Sequence, residues 1–281
     1  DDEATSLGVT VVPEIDLPGH ASAALTAYPD LGCRRVAPGV QTRWGIHHNV
    51  LCASREETYD FIRSVVAAAA DIFRGPYIHI GGDEVPAEAW SVCPDCRSRP
   101  SPYQATVAAA ADAVVATGRR PVAWDEASQL ELPPSTIIVN WRRPADAAAA
   151  LRSGYDLVLA PETRATYLDH KHRDTHLESG RLGFCTVLDA ASFSPSSYIA
   201  AHLRDDGSES RLLGGQANLW TEGVAYLVEA EYMAVVRLAA IADGLWSGTP
   251  AIENERFRRR LNTLRRSLSL RGLNVYTGPL S

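Results

Sequence analysis

Short apolar runs alternate along this chain with longer amphipathic or alanine-rich segments, and nearly every short run ends in acids, glycines or tryptophan. After Gly8, which suits a helix end, Val9-Thr10-Val11-Val12-Pro13-Glu14-Ile15-Asp16 reads as a buried parallel strand. Tyr77-Ile78-His79-Ile80 leads into Gly81-Gly82-Asp83-Glu84, and Arg120 to Trp124 leads into Asp125-Glu126. Thr136 to Trp141, Tyr155 to Leu159 and Leu212 to Trp220 bring the strands to six. Helical spacing predicts segments at Ala21 to Tyr28, Tyr103 to Thr117, after Pro144, from near Pro195, and at Val228 to Leu245 and Asn254 to Leu270. Another helix runs to about Phe73 from a capping box at Ser54-Arg55-Glu56-Glu57. Pro29 to Cys52 reads as a loop long enough to suggest function, and a second long loop follows Leu159 through Tyr167-Leu168-Asp169 to Phe193.

Strands alternating with helices imply a parallel sheet with helical crossovers. Chemistry-bearing residues at so many strand ends fit an α/β fold of the (β/α)8 TIM-barrel type, whose active site is built from the loops after its strands. A doubly wound open sheet is the alternative, but no strand here is followed by Gly-x-Gly-x-x-Gly. Residues 1–281 are accordingly read as a single, incomplete barrel domain with six of eight strands.

Asp83 and Glu84 are the leading candidates for chemistry. Neighbours on an extended backbone face opposite ways, so the two acids should have unlike roles. Two negative charges in one cleft also oppose each other's ionisation, which raises the pKa of at least one, and a carboxyl still protonated near neutrality can act as a general acid.

The net charge of −7 is spread among interspersed acids and bases, which argues against nucleic acid or an acidic membrane as the main partner. The basic run Arg256 to Arg266 reads as a solvated helix face, and no apolar stretch approaches the ~20 residues that span a bilayer. The chain begins Asp1-Asp2-Glu3 and has only Met233 as methionine, so it reads as a processed or truncated product whose compartment stays open. Five cysteines are too few for a disulfide scaffold. Cys93-Pro94-Asp95-Cys96 has no second Cys pair or His pair following it at zinc-site spacing, so a local disulfide or free thiols are expected, with Cys33 and Cys52 as a second candidate pair. No metal and no cofactor are expected, and His47, His48, His170, His172 and His176 read as loop surface.

Five motifs then carry a family resemblance: Val12-Pro13-Glu14-Ile15-Asp16-Leu17-Pro18-Gly19-His20-Ala21, His79-Ile80-Gly81-Gly82-Asp83-Glu84, Trp124-Asp125-Glu126, Tyr167-Leu168-Asp169 and Trp220-Thr221-Glu222. Their order and approximate spacing resemble glycoside hydrolase family 20, from about Leu7 to Trp246. The resemblance implies a retaining exo-β-N-acetylhexosaminidase in which the substrate's own 2-acetamido oxygen attacks the anomeric carbon. It implies Glu84 as acid and base, Asp83 as the group that orients the acetamido, and Tyr167 as its hydrogen-bond donor. Trp124, Trp141 and Trp220 would wall the sugar, Asp169 and Glu222 would hold its outer hydroxyls, and Asp16 and His20 would support the acids. The partner implied is an oligosaccharide or glycoconjugate ending in N-acetylhexosamine.

In the family two strands precede the first one here, the earlier supplying a sugar-binding arginine, and no arginine of this chain matches it by motif. The expectation is a C-terminal portion of a longer protein, or a barrel completed by a second chain. Two other readings stand beside the glycosidase: a catalytically silent carbohydrate-binding protein, and a metal-dependent barrel hydrolase using His79 and Asp83.

Overall fold

A computed structural model gives the fold and describes residues 1–86, 88–162, 165–172, 178–203, 207–253 and 255–280. The chain, read above as one domain, gathers into two compact units: Asp1–Val139 with Arg152–Asp156, and Asn140–Leu151 with Leu157–Ser281.

The first unit takes α1 (Asp2–Ser6), α2 (Ser22–Ala27), α3 (Glu56–Ile72), β1 (Tyr77–His79), α4 (Pro94–Arg97), α5 (Pro102–Ala116), β2 (Arg120–Trp124) and β3 (Ile137–Asn140), whose last residue belongs to the second. Its β-branched runs pair in parallel, β1 with β2 from Tyr77 opposite Arg120, and β2 with β3 from Val122 opposite Ile137. Helix α3 leads into β1 and α5 lies between β1 and β2, and the two bury Ile62, Val66, Val107 and Val114. The chemistry-bearing residues therefore emerge together where β1 and β2 end.

Two expectations are corrected here. The run from Val9 to Asp16 is not a buried strand: it makes one parallel bridge, Glu14 to His79, and Val9 and Val12 are 54% and 41% exposed. Pro13 has no N–H to donate, so pairing that begins around Glu14 cannot extend backward through it. The capping box at Ser54 is also absent. Arg55 is the N-cap of α3 and makes no side-chain cap, while Ser54 gives its backbone N–H to Cys52 and its side-chain hydrogen bond to Cys96.

The second unit takes α6 (Pro144–Arg152) but for its last residue, β4 (Asp156–Leu159) but for its first, β5 (His170–Lys171), β6 (Arg181–Phe184), α7 (Val187–Ala191), α8 (Pro195–Ile199), β7 (Leu212–Gly215), α9 (Leu227–Ser247) and α10 (Glu255–Leu270). Its strands β4 and β7 are parallel, Leu157 opposite Leu212 and Leu159 opposite Gly215. The segment expected as a loop from Tyr167 to Phe193 instead holds the parallel pair β5 and β6 and then α7, which Thr186 and Asp189 start as a capping box.

Arg237 on α9 organises that segment. It is fully buried, and its guanidinium donates to the carbonyls of His170 at 2.7 Å, Cys185 at 2.8 Å, Met233 at 2.8 Å and Leu168. Backbone carbonyls thus take the place of water around a buried cation. No described helix is long and apolar enough to cross a membrane.

Candidate active site

Gly81 and Gly82 turn the backbone at the end of β1 with φ of +67° and +96°. A Cβ on Gly81 would lie 1.7 Å from Asp16 Oδ1, so only glycine allows the Asp16 segment to approach this closely. Asp16 Oδ1 accepts the Gly82 N–H at 3.0 Å, and Tyr103 donates its hydroxyl to the Gly82 carbonyl at 2.6 Å. The turn is therefore held from both sides before the acids begin. Glu84 itself is left-handed at φ +50°, a conformation that costs a non-glycine residue roughly 1–2 kcal/mol and is often found at functional sites.

His20 stands between the acids, Nε2 3.4 Å from Glu84 Oε2 and 3.8 Å from Asp83 Oδ2. The hydrogen bond to Glu84, with the charges of Asp16 and Asp83, outweighs burial and lifts His20 to about 9. Burial first, then the Asp83 charge, pushes Asp16 up to about 8. Burial likewise raises Asp83 to about 6, with Glu126 adding to it. At neutral pH Asp16 is thus the protonated partner in its hydrogen bond to Asp83, and His20 is the cation beside Glu84. The like charge that adds to Asp83 is Glu126, just after β2, whereas sequence adjacency had pointed to Glu84. Asp83 Oδ1 is buried and has no hydrogen-bond partner among the described residues.

Behind these groups His79 Nδ1 sits 3.0 Å from the Gly81 nitrogen and 3.2 Å from Glu14 Oε1. Trp124 donates its indole N–H to the same Glu14 oxygen at 2.9 Å and packs on the His79 ring at 4.9 Å. Burial would raise Glu14, but its hydrogen bonds to His79 and Trp124 and the His79 charge hold it below the ordinary carboxylate value. Trp124, expected as a sugar wall, is only 3% exposed and backs the site through Glu14 and His79.

In the second unit Tyr167 bridges Asn218 in parallel, and Trp220 hydrogen-bonds to its hydroxyl. Burial keeps that phenol far above its usual pKa, so it stays a donor. Asp169, expected to hold sugar hydroxyls, is 0% exposed and pairs with Arg181 Nε at 2.6 Å. Arg181 in turn lies 5.6 Å over the Tyr167 ring. Glu222 is exposed, while Trp141 and Trp220 are half-buried. His170 and His172 are buried rather than surface, His172 stacked 3.8 Å from Tyr276 and pushed down to about 3 by burial first. His176 lies outside the described residues.

Among the described residues two groups could hold a metal: Asp16, His20 and Asp83, and Cys33, Cys52, Cys93 and Cys96, with ligand atoms within 4.8 Å of one another in each. In the first, an ion would have to displace the protons already carried by Asp16 and His20. His79, named in the metal-hydrolase reading, is turned to Glu14 and Gly81 and is not in that group.

The profile of "Glycosyl hydrolase family 20, catalytic domain" matches residues 2–249. The chain belongs to glycoside hydrolase family 20. It is 33% identical over 280 residues to a beta-hexosaminidase of Porphyromonas gingivalis, covering 95% of this chain and 35% of that protein. With a beta-N-acetylhexosaminidase of Cellulomonas fimi the identity is 34%, over 85% of this chain and 46% of the relative. A Streptomyces plicatus beta-hexosaminidase solved with its product GlcNAc superposes with a TM-score of 0.83 at 29% identity, covering 99% of this chain and 54% of that one. The chain thus spans about a third to a half of these relatives' lengths. The α/β fold of TIM-barrel type expected from the strand ends is the fold of this family.

Within this family-20 chain, three supporting residues escaped the sequence reading. Tyr103 acts through the Gly82 carbonyl and Glu14 through the Trp124 indole, partners 21 and 110 residues away in the sequence. Arg181 becomes visible only when β6 is seen to run beside Asp169.

Proposed function

We propose that this chain carries the chemistry of a retaining β-N-acetylhexosaminidase acting on terminal non-reducing β-linked N-acetylglucosamine or N-acetylgalactosamine. The observation that carries the reading is the buried, unpartnered Oδ1 of Asp83, beside a protonated Asp16 and one residue from a Glu84 held by cationic His20. A buried acceptor lacking a donor costs stability unless a ligand supplies one, and a substrate acetamide N–H is such a donor. With that N–H on Asp83, the acetamido oxygen is turned toward the anomeric carbon, and the carboxylate faces the positive charge that develops on the amide during attack.

In this proposal Glu84 protonates the leaving oxygen and then deprotonates the water that opens the oxazolinium; His20 supplies the proton reserve beside it. Within the second unit Trp220 is oriented onto the Tyr167 oxygen, which leaves the phenol O–H as the donor that the family resemblance assigns to the acetamido group. Trp141 and Trp220 offer flat faces to the sugar. In the same unit Arg181 is fixed by Asp169, and Glu222 is exposed.

The test is the pH dependence of hydrolysis of a chromogenic β-N-acetylglucosaminide. Protonating Asp83 removes its acceptor, so activity should fall as pH drops through about 6. Deprotonating Asp16 and then His20 adds negative charge beside Asp83 and releases Glu84, so activity should fall again as pH rises through about 8 to 9. Stability moves the same way on the alkaline side. Folded Asp16 and His20 bind protons more tightly than when unfolded, so their contribution is lost as pH rises through those values. A rate that stays flat between about pH 5 and 10 would contradict the assignment.

A further inference from the structure

The four cysteines of the first unit lie together. Cys33 follows the short turn Pro29–Leu31, and Cys52 is brought beside it by the antiparallel bridge between Gly32 and Leu51, with the Cys52 N–H on the Leu31 carbonyl at 2.8 Å. Cys93 and Cys96 flank the first turn of α4, where the Arg97 N–H returns to the Cys93 carbonyl at 2.9 Å. Two backbone turns therefore aim two sulfurs each at one point.

We propose that Cys33, Cys52, Cys93 and Cys96 form a structural tetrathiolate site for a zinc ion. All four sulfurs lie within 4.8 Å of one another. The Cys96 sulfur is 3.8 Å from Cys33 and 3.4 Å from Cys52. A tetrahedral ion with bonds of about 2.3 Å sets neighbouring sulfurs about 3.8 Å apart, whereas a disulfide needs about 2.05 Å. Both of these contacts join the upstream pair to the downstream one, which fits a single four-sulfur cluster better than two local disulfides.

The surroundings suit thiolates. Ser54 gives its backbone N–H to Cys52 and its side-chain hydrogen bond to Cys96, the kind of outer support that orients metal-bound sulfur. Val50, Ala53, Ala89 and Trp90 enclose the cluster, and Trp90 donates its indole N–H to the Leu51 carbonyl at 2.9 Å. Cys33, half-buried, borders a cavity of about 390 Å³ that gives an ion a way in. Four protein ligands leave no open position, so the ion would clamp structure and do no hydrolysis. It would tie the Pro29 to Cys52 loop to the segment that follows Glu84, since Val85 packs against the cluster.

The test is metal analysis of the protein purified without metal-affinity resin, followed by exchange with Co²⁺ alone. The expected result is about one zinc per chain, released on titrating four thiols, and sulfur-to-cobalt charge-transfer absorption with tetrahedral d–d bands after exchange. Cys96→Ser should lose both the zinc and the cobalt signature, while Asp83→Asn keeps them. Protein without zinc that gains no cobalt–thiolate absorption, its cysteines disulfide-bonded or free by mass, would overturn the proposal. So would zinc that survives Cys96→Ser and departs with Asp83→Asn. The wild-type measurements decide the matter even if Cys96→Ser folds poorly.

Discussion

Glu84→Gln is expected to lower kcat by about 10²–10⁴-fold, with the larger loss on substrates whose leaving group is a sugar hydroxyl. The amide keeps the size of the side chain and can still reach His20, which now stands 3.4 Å from the carboxylate. What it cannot do is give up a proton. A nitrophenolate departs with little help, but an alkoxide does not, so the defect should grow as the leaving group becomes more basic. Mere damage to the turn would slow both substrates alike. The measurement is kcat and kcat/KM for a nitrophenyl glycoside and a disaccharide, in wild type and variant. Equal rates in the two proteins would remove Glu84 from the mechanism.

Arg237→Met is expected to cost about 3–5 kcal/mol of stability, the range found when one member of a buried, hydrogen-bonded charge arrangement is removed. Methionine restores most of the apolar stem and none of the donors. The carbonyls of Leu168, His170 and Cys185 then lose their buried partner, and two of them flank Asp169, which holds Arg181. The loss should therefore appear both as a lower midpoint in urea and as weaker ordering of the Tyr167 to Phe184 segment in hydrogen exchange. A variant within about 1 kcal/mol of wild type would show that the guanidinium is dispensable there.

The strands and the acids were legible because each was encoded locally. Tyr77-Ile78-His79 and Ile137-Ile138-Val139 are β-branched or aromatic, and the Gly81-Gly82 pair announces a backbone that only glycine can follow. The misreadings arose where a distant partner decided the outcome. Ser54 has the sequence of a cap, but two sulfurs, one of them on Cys96, take its hydrogen bonds. His170-Lys171 looks like polar loop and becomes strand because β6 lies beside it. No second Cys pair follows Cys93 and Cys96 in the sequence, whereas the bridge between Gly32 and Leu51 sets Cys33 and Cys52 side by side from upstream.

Substrate assistance is most directly tested by the affinity of a thiazoline that mimics the cyclised oxazolinium, measured against N-acetylglucosamine itself. If Asp83 and its neighbours are built to hold the acetamido group as it attacks, the thiazoline should bind at least about 10²-fold more tightly, and Asp83→Asn should erase most of that advantage. A thiazoline that binds no better than N-acetylglucosamine would contradict the mechanism.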